Sequence, residues 1–173
     1  MKSKRLWVVL AAALGAAGAG ASSVLATPQS GLTTTTVATA SFPPLRIHSD
    51  YQPSPPGPLA SRWQAMLKTH GITDVYVVDN VLAPGGMTGY HDHLGPSLIM
   101  VVRGTVTNYR AEAGNCAGVD YPKGTGFIDA GGGDIHELKN NGTETAETIA
   151  VQLIPHGQPR KIDVLQTPPG CPA

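Results

Sequence analysis

The chain has 173 residues, which is enough for one domain and not comfortably for two. Charged residues make up only 14%, against a usual share of about a quarter. Glycine (21) and proline (15) are plentiful and aromatic residues are few, so the composition favours a turn-rich β protein over a helical bundle.

Residues 1–26 have the layout of a secretory signal peptide. Lys2, Lys4 and Arg5 form a basic start, an Ala/Gly-rich apolar run follows over 6–21, and Val24-Leu25-Ala26 places small residues before a cleavage point at Thr27. We therefore predict export to a periplasmic or extracellular location. The alternative is an uncleaved segment that tethers the protein to a membrane, although the run is short and weakly hydrophobic for a span.

Cleavage at this point would change the charge balance. Residues 1–26 hold three of the 12 basic residues and none of the 12 acidic ones, which leaves nine against twelve and a formal charge of −3. No basic stripe remains for nucleic acid and no polybasic anchor for lipid. We expect neither nucleic acid nor, after cleavage, a membrane as a partner.

Cys116 and Cys171 are the only cysteines. In an oxidising compartment an even count suggests a disulfide, which would tie the C-terminus to a mid-chain loop. In the chain-entropy view, closing such a loop stabilises the fold by up to about 4 kcal/mol. The alternatives are two free thiols or two further metal ligands, but neither cysteine has a cysteine or histidine nearby at ligand spacing.

The region before the predicted barrel divides into two parts. Residues 27–58 are rich in threonine and proline, lack a hydrophobic period, and are predicted to be a flexible segment. A single domain is predicted over 59–173. It begins with a short helix over 59–69, because Leu59, Trp63 and Met66 recur at helical spacing and Gly71 follows as a stop signal. Packing of Trp63 and Met66 against the barrel is the expected role of this helix.

From residue 72 onward, short β-branched runs alternate with Gly/Pro punctuation, which is typical of a sandwich or barrel. Residues 111–124 are predicted to be a polar connection. Strands are predicted over 72–82, 98–102, 105–110, 126–129, 135–139, 143–155 and 161–165.

The central motif is His91-Asp92-His93 within a glycine-rich stretch. Side chains at i and i+2 of a strand share a face, so two imidazoles can bind one metal ion. His136 follows a second glycine-rich run over 131–133. Three neutral imidazoles would leave the ion its full charge and one to three open positions, an arrangement typical of catalytic rather than structural sites. The alternative is three histidines that line a barrel without a metal.

The spacing around this motif resembles the first motif of the cupin superfamily. That motif runs Gly, five residues, His-x-His, three or four residues, Glu, six residues, Gly. Here Gly85, His91, His93 and Gly104 keep every spacing, and Ser97 stands where the family has its glutamate ligand.

The second cupin motif is matched more loosely. Its anchors are Gly133, His136 and Asn140, whereas Gly131 stands in place of the proline and Thr125 in place of the first glycine. The resemblance covers about residues 72–156 and is more specific for the fold than for the reaction.

The resemblance implies an all-β, double-stranded β-helix, a jelly-roll barrel with a metal inside. It implies that His91, His93 and His136 are ligands of a divalent ion (Fe, Zn, Mn, Cu or Ni), while Ser97 leaves the fourth place to water or substrate. Some cupins, thiol dioxygenases among them, work with three histidines alone. The implied function is binding of a small-molecule ligand, with dioxygenase-type oxidoreductase chemistry or non-catalytic capture as alternatives, and by analogy a homodimer.

Strand parity continued from His93 turns Ser97, Ile99 and Val101 inward as a pocket wall. By the same parity, Asp134 and Glu137 face away from His136 and are not expected to be ligands.

Three further residues are weaker candidates. Asp129 and Arg103 could touch a substrate but are expected to be surface charges. His156, after the last long strand, is a candidate for a barrel mouth.

Overall fold

A computed structural model describes residues 28–52, 63–112 and 115–172. The expected signal segment 1–26 lies outside these residues. Within them there are strands and turns and no helix, hence no helix long and apolar enough to cross a membrane. The strands are β1 Ser30–Phe42, β2 Arg46–Tyr51, β3 Trp63–Lys68, β4 Thr73–Met87, β5 His91–Asp92, β6 Ser97–Arg103, β7 Thr105–Arg110, β8 Gly118–Pro122, β9 Gly126–Asp129, β10 His136–Lys139, β11 Ala146–Pro155 and β12 Ile162–Asp163.

Ten of these strands form one antiparallel sheet that curls into a nearly closed barrel. One side runs β1-β4-β11-β6-β9 and the other runs β12-β5-β10-β7-β8. The two sides join where β10 meets the end of β4, at the pair Lys139 and Met87. The predicted all-β, double-stranded β-helix architecture is confirmed.

The interior is built by alternation along the strands. In β6, Ser97, Ile99 and Val101 are buried, while the residues between them are exposed. Val101 packs in a core cluster with Leu82, Val106, Leu138 and Ala146. A second cluster consists of Val78, Ile99 and Ala150. The buried apolar residues thus form two clusters, and neither of them includes the three histidines.

Asn140, an anchor of the second motif, has a structural role. Its buried side-chain amide donates to the carbonyl oxygens of Leu82, Ala83 and Glu144 at 3.0, 3.1 and 2.7 Å. These bonds satisfy strand-end carbonyls inside the fold. They hold the end of β10, and with it the strand that begins at His136, against β4.

The predicted flexible character of residues 27–58 is wrong for most of its described part. Ser30–Phe42 pairs along β4, from Ser30 opposite Met87 to Phe42 opposite Thr73. Almost every residue of β1 is exposed, so no alternation of buried and exposed positions requires the alternating apolar and polar residues from which strands are predicted. Its β-branched threonines suit a pleated strand, and the long edge of β4 supplies the partner.

The predicted helix over 59–69 is also wrong where the structure describes it, since Trp63–Lys68 is strand β3 paired with β2. Residues 59–62 lie outside the described ranges. Trp63 and Met66 are 56% and 84% exposed, so they do not pack into a core. Ala65 and Leu67 are half-buried and follow a period of two. A helix prediction that rests only on the spacing of the large side chains does not detect this period.

The C-terminus is fixed by the Cys116–Cys171 disulfide, as predicted. The same tail contacts the barrel at Tyr90, whose hydroxyl donates to the carbonyl of Pro172 at 3.1 Å. The expected connection over 111–124 also differs from the structure, because it contains β8, which pairs with β7.

Candidate metal centre

Three buried histidines meet at one end of the barrel. His91 lies on β5, His93 follows it directly, and His136 begins β10 opposite His91 in the strand register. The ring centroids of His91 and His136 are 4.4 Å apart, and those of His91 and His93 are 4.9 Å apart. One potential ligand atom from each ring lies within 4.8 Å of the other two. The structure therefore brings together the three residues that the sequence singles out.

Each ring is oriented by a backbone carbonyl. Nδ1 of His91 donates to Gly89 O and Nδ1 of His136 donates to Asp134 O, both at 2.8 Å. Nδ1 of His93 donates to the carbonyl of Arg160. A carbonyl can only accept, so Nδ1 carries the proton in all three rings and each neutral ring keeps its lone pair on Nε2. Such outer hydrogen bonds are typical of metal-binding histidines.

Burial keeps two of these rings neutral. It lowers the pKa of His91 well below its ordinary value, and the neighbouring His136 and His93 lower it further. Burial also lowers the pKa of His93, against the opposing effects of the Arg160 carbonyl and Asp129. A metal ligand must be a neutral imidazole, so the environment favours the protonation state that binding requires.

Asp129 is buried beside the histidines, contrary to the surface position predicted from the sequence, and is only 2% exposed. Its Oδ2 lies 3.6 Å from His93 Nε2, its Oδ1 lies 3.9 Å from His136 Nδ1, and Oδ1 accepts a hydrogen bond from Gly131 N at 2.8 Å. Burial raises the pKa of this carboxyl. A buried carboxylate beside three imidazoles is a strong local source of negative potential.

Two buried oxygen atoms beside the histidines have no hydrogen-bond partner among the described residues: Ser97 Oγ and Asp129 Oδ2. Buried polar atoms without a partner are rare and call for an explanation such as an ion or a water. The donor chemistry fits a divalent ion, with three imidazole lone pairs and one unpartnered carboxylate oxygen close by.

Glycines let two loops approach closely behind His93. Gly131, Gly132 and Gly133 all have positive φ, of 68°, 64° and 108°. Gly132 N donates to His93 O at 2.7 Å, and Gly133 N donates to Asp92 Oδ2 at 2.8 Å. The glycine-rich run before His136 thus fixes the position of His93.

The histidines open into a cavity of about 180 Å³. Ser97 and Ile99 line it, as predicted from parity, whereas Val101 lies in the core cluster and is not a lining residue. Polar residues that line the cavity and that the motif spacing does not indicate include Gln152, Arg160 and Lys161. The inward position of Gln152 could have been predicted from the sequence, because buried and partly exposed residues alternate along β11 and Gln152 is at a buried position.

Gln152 connects His93 to Arg160. Its Oε1 accepts a hydrogen bond from Arg160 Nη1 at 2.7 Å, which turns its amide nitrogen toward the histidines. That nitrogen lies 3.4 Å from His93 Nε2, the ring atom that carries a lone pair. Gln152 therefore presents N–H groups to whatever occupies the site.

The flanking acids of His136 are not part of the cluster. Asp134 is paired with Arg110, with a 3.0 Å bond from Nε to Oδ1 and a second contact through Nη2. Glu137 is buried on the other face of β10, where burial raises the pKa of its carboxyl.

The two remaining candidates also lie apart from the cluster. Arg103 is exposed at the end of β6. His156 bonds Asp74 through Nδ1 at 2.9 Å and does not line the cavity.

No protein-family model matches the chain, and no curated protein does. Solved structures that match include oxalate oxidase in complex with the substrate analogue glycolate, at 20% identity and a TM-score of 0.42 over 45% of this chain and 41% of that one. A cupin superfamily protein from Desulfitobacterium hafniense DCB-2 matches at 12% identity and a TM-score of 0.40, over 69% of this chain and 81% of that one. A conserved protein with a double-stranded beta-helix domain from Klebsiella pneumoniae subsp. pneumoniae MGH 78578 matches at 19% identity and a TM-score of 0.44, over 52% of this chain and 75% of that one.

The alignment spans less than half the length of the oxalate oxidase chain. The likeness to these proteins, all below 25% identity, is one of fold. The chain has structural neighbours among the cupins and carries a cluster of His91, His93 and His136 inside an all-β barrel.

Proposed function

We propose that this is an exported protein that binds one divalent metal ion through Nε2 of His91, His93 and His136 and presents it to a small-molecule ligand. The observation that carries the proposal is the set of three Nδ1 bonds to backbone carbonyls, which leaves a lone pair on Nε2 of each of three buried rings that cluster in one place. The Cys116–Cys171 disulfide supports export, since disulfides persist in oxidising compartments.

The first activity to test is a metal-dependent oxidoreductase reaction of the dioxygenase kind. With three neutral ligands, the bound ion would supply Lewis acidity, or dioxygen chemistry if it is iron. The chain itself contributes positioning: carbonyls orient the rings, Gln152 directs N–H groups at the site, and Ile99 and Leu138 add apolar side chains to the cavity lining.

Non-catalytic capture of a small molecule or metal is the second candidate function. It is favoured by the cavity wall, because no carboxylate is present among the described residues that line it. The neutral histidines would serve the ion and leave no obvious proton acceptor facing a substrate. Oxygen consumption by the iron-loaded protein separates the two functions, since a binding protein consumes none.

The test of the metal site is elemental mass spectrometry on natively exported protein, beside a His136→Ala variant. We expect about one transition-metal ion per wild-type chain and its loss in the variant. The matched control is His48→Ala, because His48 is an exposed histidine of β2 outside the cluster. That variant should keep its metal.

The identity of the ion directs the next step. Iron would lead to oxygen-consumption assays, whereas zinc or copper would favour hydrolytic, copper-dependent or capture roles. If the wild type held no metal even after reloading, or if His136→Ala retained it fully, the three-histidine site would be wrong.

A further inference from the structure

From the charges around the cavity, we infer that the ligand of this site is a small organic carboxylate, held by the Arg160 guanidinium and the Gln152 amide with its carboxylate directed at the metal. The inference rests on the proposed metal site and adds the chemical class of the ligand. Arg160 and Gln152 are neither histidines nor positions of the two motifs, so the inference concerns residues outside both motifs.

Arg160 is fixed at the cavity. One guanidinium N–H donates to Gln152 Oε1 at 2.7 Å, and the guanidinium carbon lies 5.7 Å from the ring centroid of Tyr76, within cation–π range. Its backbone carbonyl accepts the Nδ1 proton of His93. A guanidinium that is held on one edge and over one face is preorganised to present its other N–H groups to a planar anion.

This guanidinium has no carboxylate partner among the described residues. The contrast is Arg110, whose guanidinium binds both carboxylate oxygens of Asp134. Arginine fits carboxylates bidentately, so a partly buried arginine that lines a cavity and pairs only with an amide has capacity for an anion. Arg160 is therefore a recognition group rather than part of an internal ion pair.

The other charged side chain in the cavity lining is also basic, whereas the Asp129 carboxylate is buried beside His93 and is not a lining residue. Lys161 lines the cavity, with Nζ bonded to Thr88 O at 2.9 Å and to the half-exposed Asp163 at 2.6 Å. No described lining residue is acidic. A divalent ion at the histidines would outweigh the single negative charge of Asp129, so the net potential of the site favours an anionic ligand over a neutral or cationic one.

The walls argue for an organic acid rather than a bare inorganic anion. Ile99, Leu138, Ala150 and Leu32 contribute apolar surface to the cavity lining. Apolar lining combined with a guanidinium and an amide suits a molecule with a short carbon skeleton and one carboxylate. The small volume, about 180 Å³, limits that skeleton to a few carbon atoms.

The experiment uses the full exported protein loaded with Co²⁺, whose visible absorption reports changes in coordination. Butanoate, butanamide and inorganic phosphate are titrated in turn. We expect butanoate to bind and to change the spectrum, butanamide not to bind, and phosphate to bind more weakly than butanoate. Arg160→Gln should weaken butanoate binding about 10- to 100-fold, the loss expected for a charge-assisted hydrogen bond.

Two controls keep the inference separate from the metal site. Arg103→Gln removes an equal charge from the exposed end of β6 and should bind butanoate like the wild type. Cobalt stoichiometry is measured in every variant and should stay at one. Failure of wild-type protein to bind cobalt would overturn the metal site. Normal cobalt binding, with butanoate unbound, bound no better than butanamide or phosphate, or unaffected by Arg160→Gln, would overturn only the carboxylate inference.

Discussion

Ser97 and Asp129 lie directly opposite each other on β6 and β9, and each has a buried oxygen without a hydrogen-bond partner among the described residues. Ser97 occupies the place where cupins, by the resemblance of the motif, have a glutamate ligand. Its cross-strand neighbour is a carboxylate, with Oδ2 3.6 Å from His93 Nε2. The negative charge missing from one strand is thus present on the next.

The relationship predicts opposite effects of Asp129→Asn on stability and on metal binding. In metal-free protein the substitution removes a desolvated charge, and the new amide can donate to His93 Nε2. We expect the free energy of unfolding to rise by about 1 kcal/mol. In the presence of metal the nearest negative charge is lost, so affinity should fall about 10- to 100-fold, as for other outer groups of metal sites.

Chemical denaturation of the metal-free protein and competitive metal titration measure the two effects. Ser97→Ala is the matched control, because it removes the opposite unpartnered oxygen without changing charge. It should leave metal affinity nearly unchanged. Equal metal affinity in Asp129→Asn and wild type would show that the carboxylate does not act on the ion.

The contact between the two histidine loops gives a second prediction. A Cβ built on Gly131 would lie 2.5 Å from Gly95 O and 2.8 Å from His93 O. At Gly132 the backbone has nearly the same φ, but a Cβ meets nothing within 4 Å. Gly132→Ala should therefore lower the free energy of unfolding by about 1–2 kcal/mol, because alanine is strained in the left-handed conformation. Gly131→Ala should lower it by the same amount and also by the free energy needed to displace His93.

The difference between these two variants isolates packing from backbone strain. We expect Gly131→Ala to destabilise the protein by at least about 1 kcal/mol more than Gly132→Ala, and to weaken metal binding as well. Thermal unfolding and metal titration of both variants provide the test. Equal losses in the two alanine variants would mean that the loop contact does not position His93.

Much of the site was predictable because its signals are local. The spacing of His91, His93 and His136 is visible in the sequence. The alternation along β6 correctly predicts that Ser97 and Ile99 face inward. Asp129 was missed because nothing local distinguishes it from a turn acid. Its burial depends on the pairing of β9 with β6, across a separation of about 30 residues.

The errors at the N-terminal side have the same origin. β1 pairs with β4 over a separation of more than 30 residues while remaining almost wholly exposed, so it lacks the burial pattern from which strands are read. In β3, the large side chains of Trp63 and Met66 suggested a helix, but they are exposed and the period of the half-buried residues is two. Tertiary pairing overrode the local pattern in both cases.

The third prediction concerns pH. Burial lowers the pKa of His91 and His93, so below about pH 6.5 the unfolded chain binds protons that the folded chain does not. Stability then rises with pH, and it should fall as the pH drops from 7 to 5, by up to about 1.4 kcal/mol per pH unit for each histidine. Asp129 and Glu137 act in the opposite direction, because their raised pKa values let the folded chain take up protons first as the pH falls.

The histidine contribution can be isolated by comparing wild type with His91→Gln, which keeps Asp129 and Glu137. Unfolding free energies of the metal-free proteins, measured between pH 7 and 5, should show a shallower loss in the variant. Saturating metal should steepen the wild-type dependence, because the bound ion requires all three imidazoles to be neutral while the unfolded chain protonates them. A wild-type curve that is no steeper with metal than without it would contradict the three-histidine site.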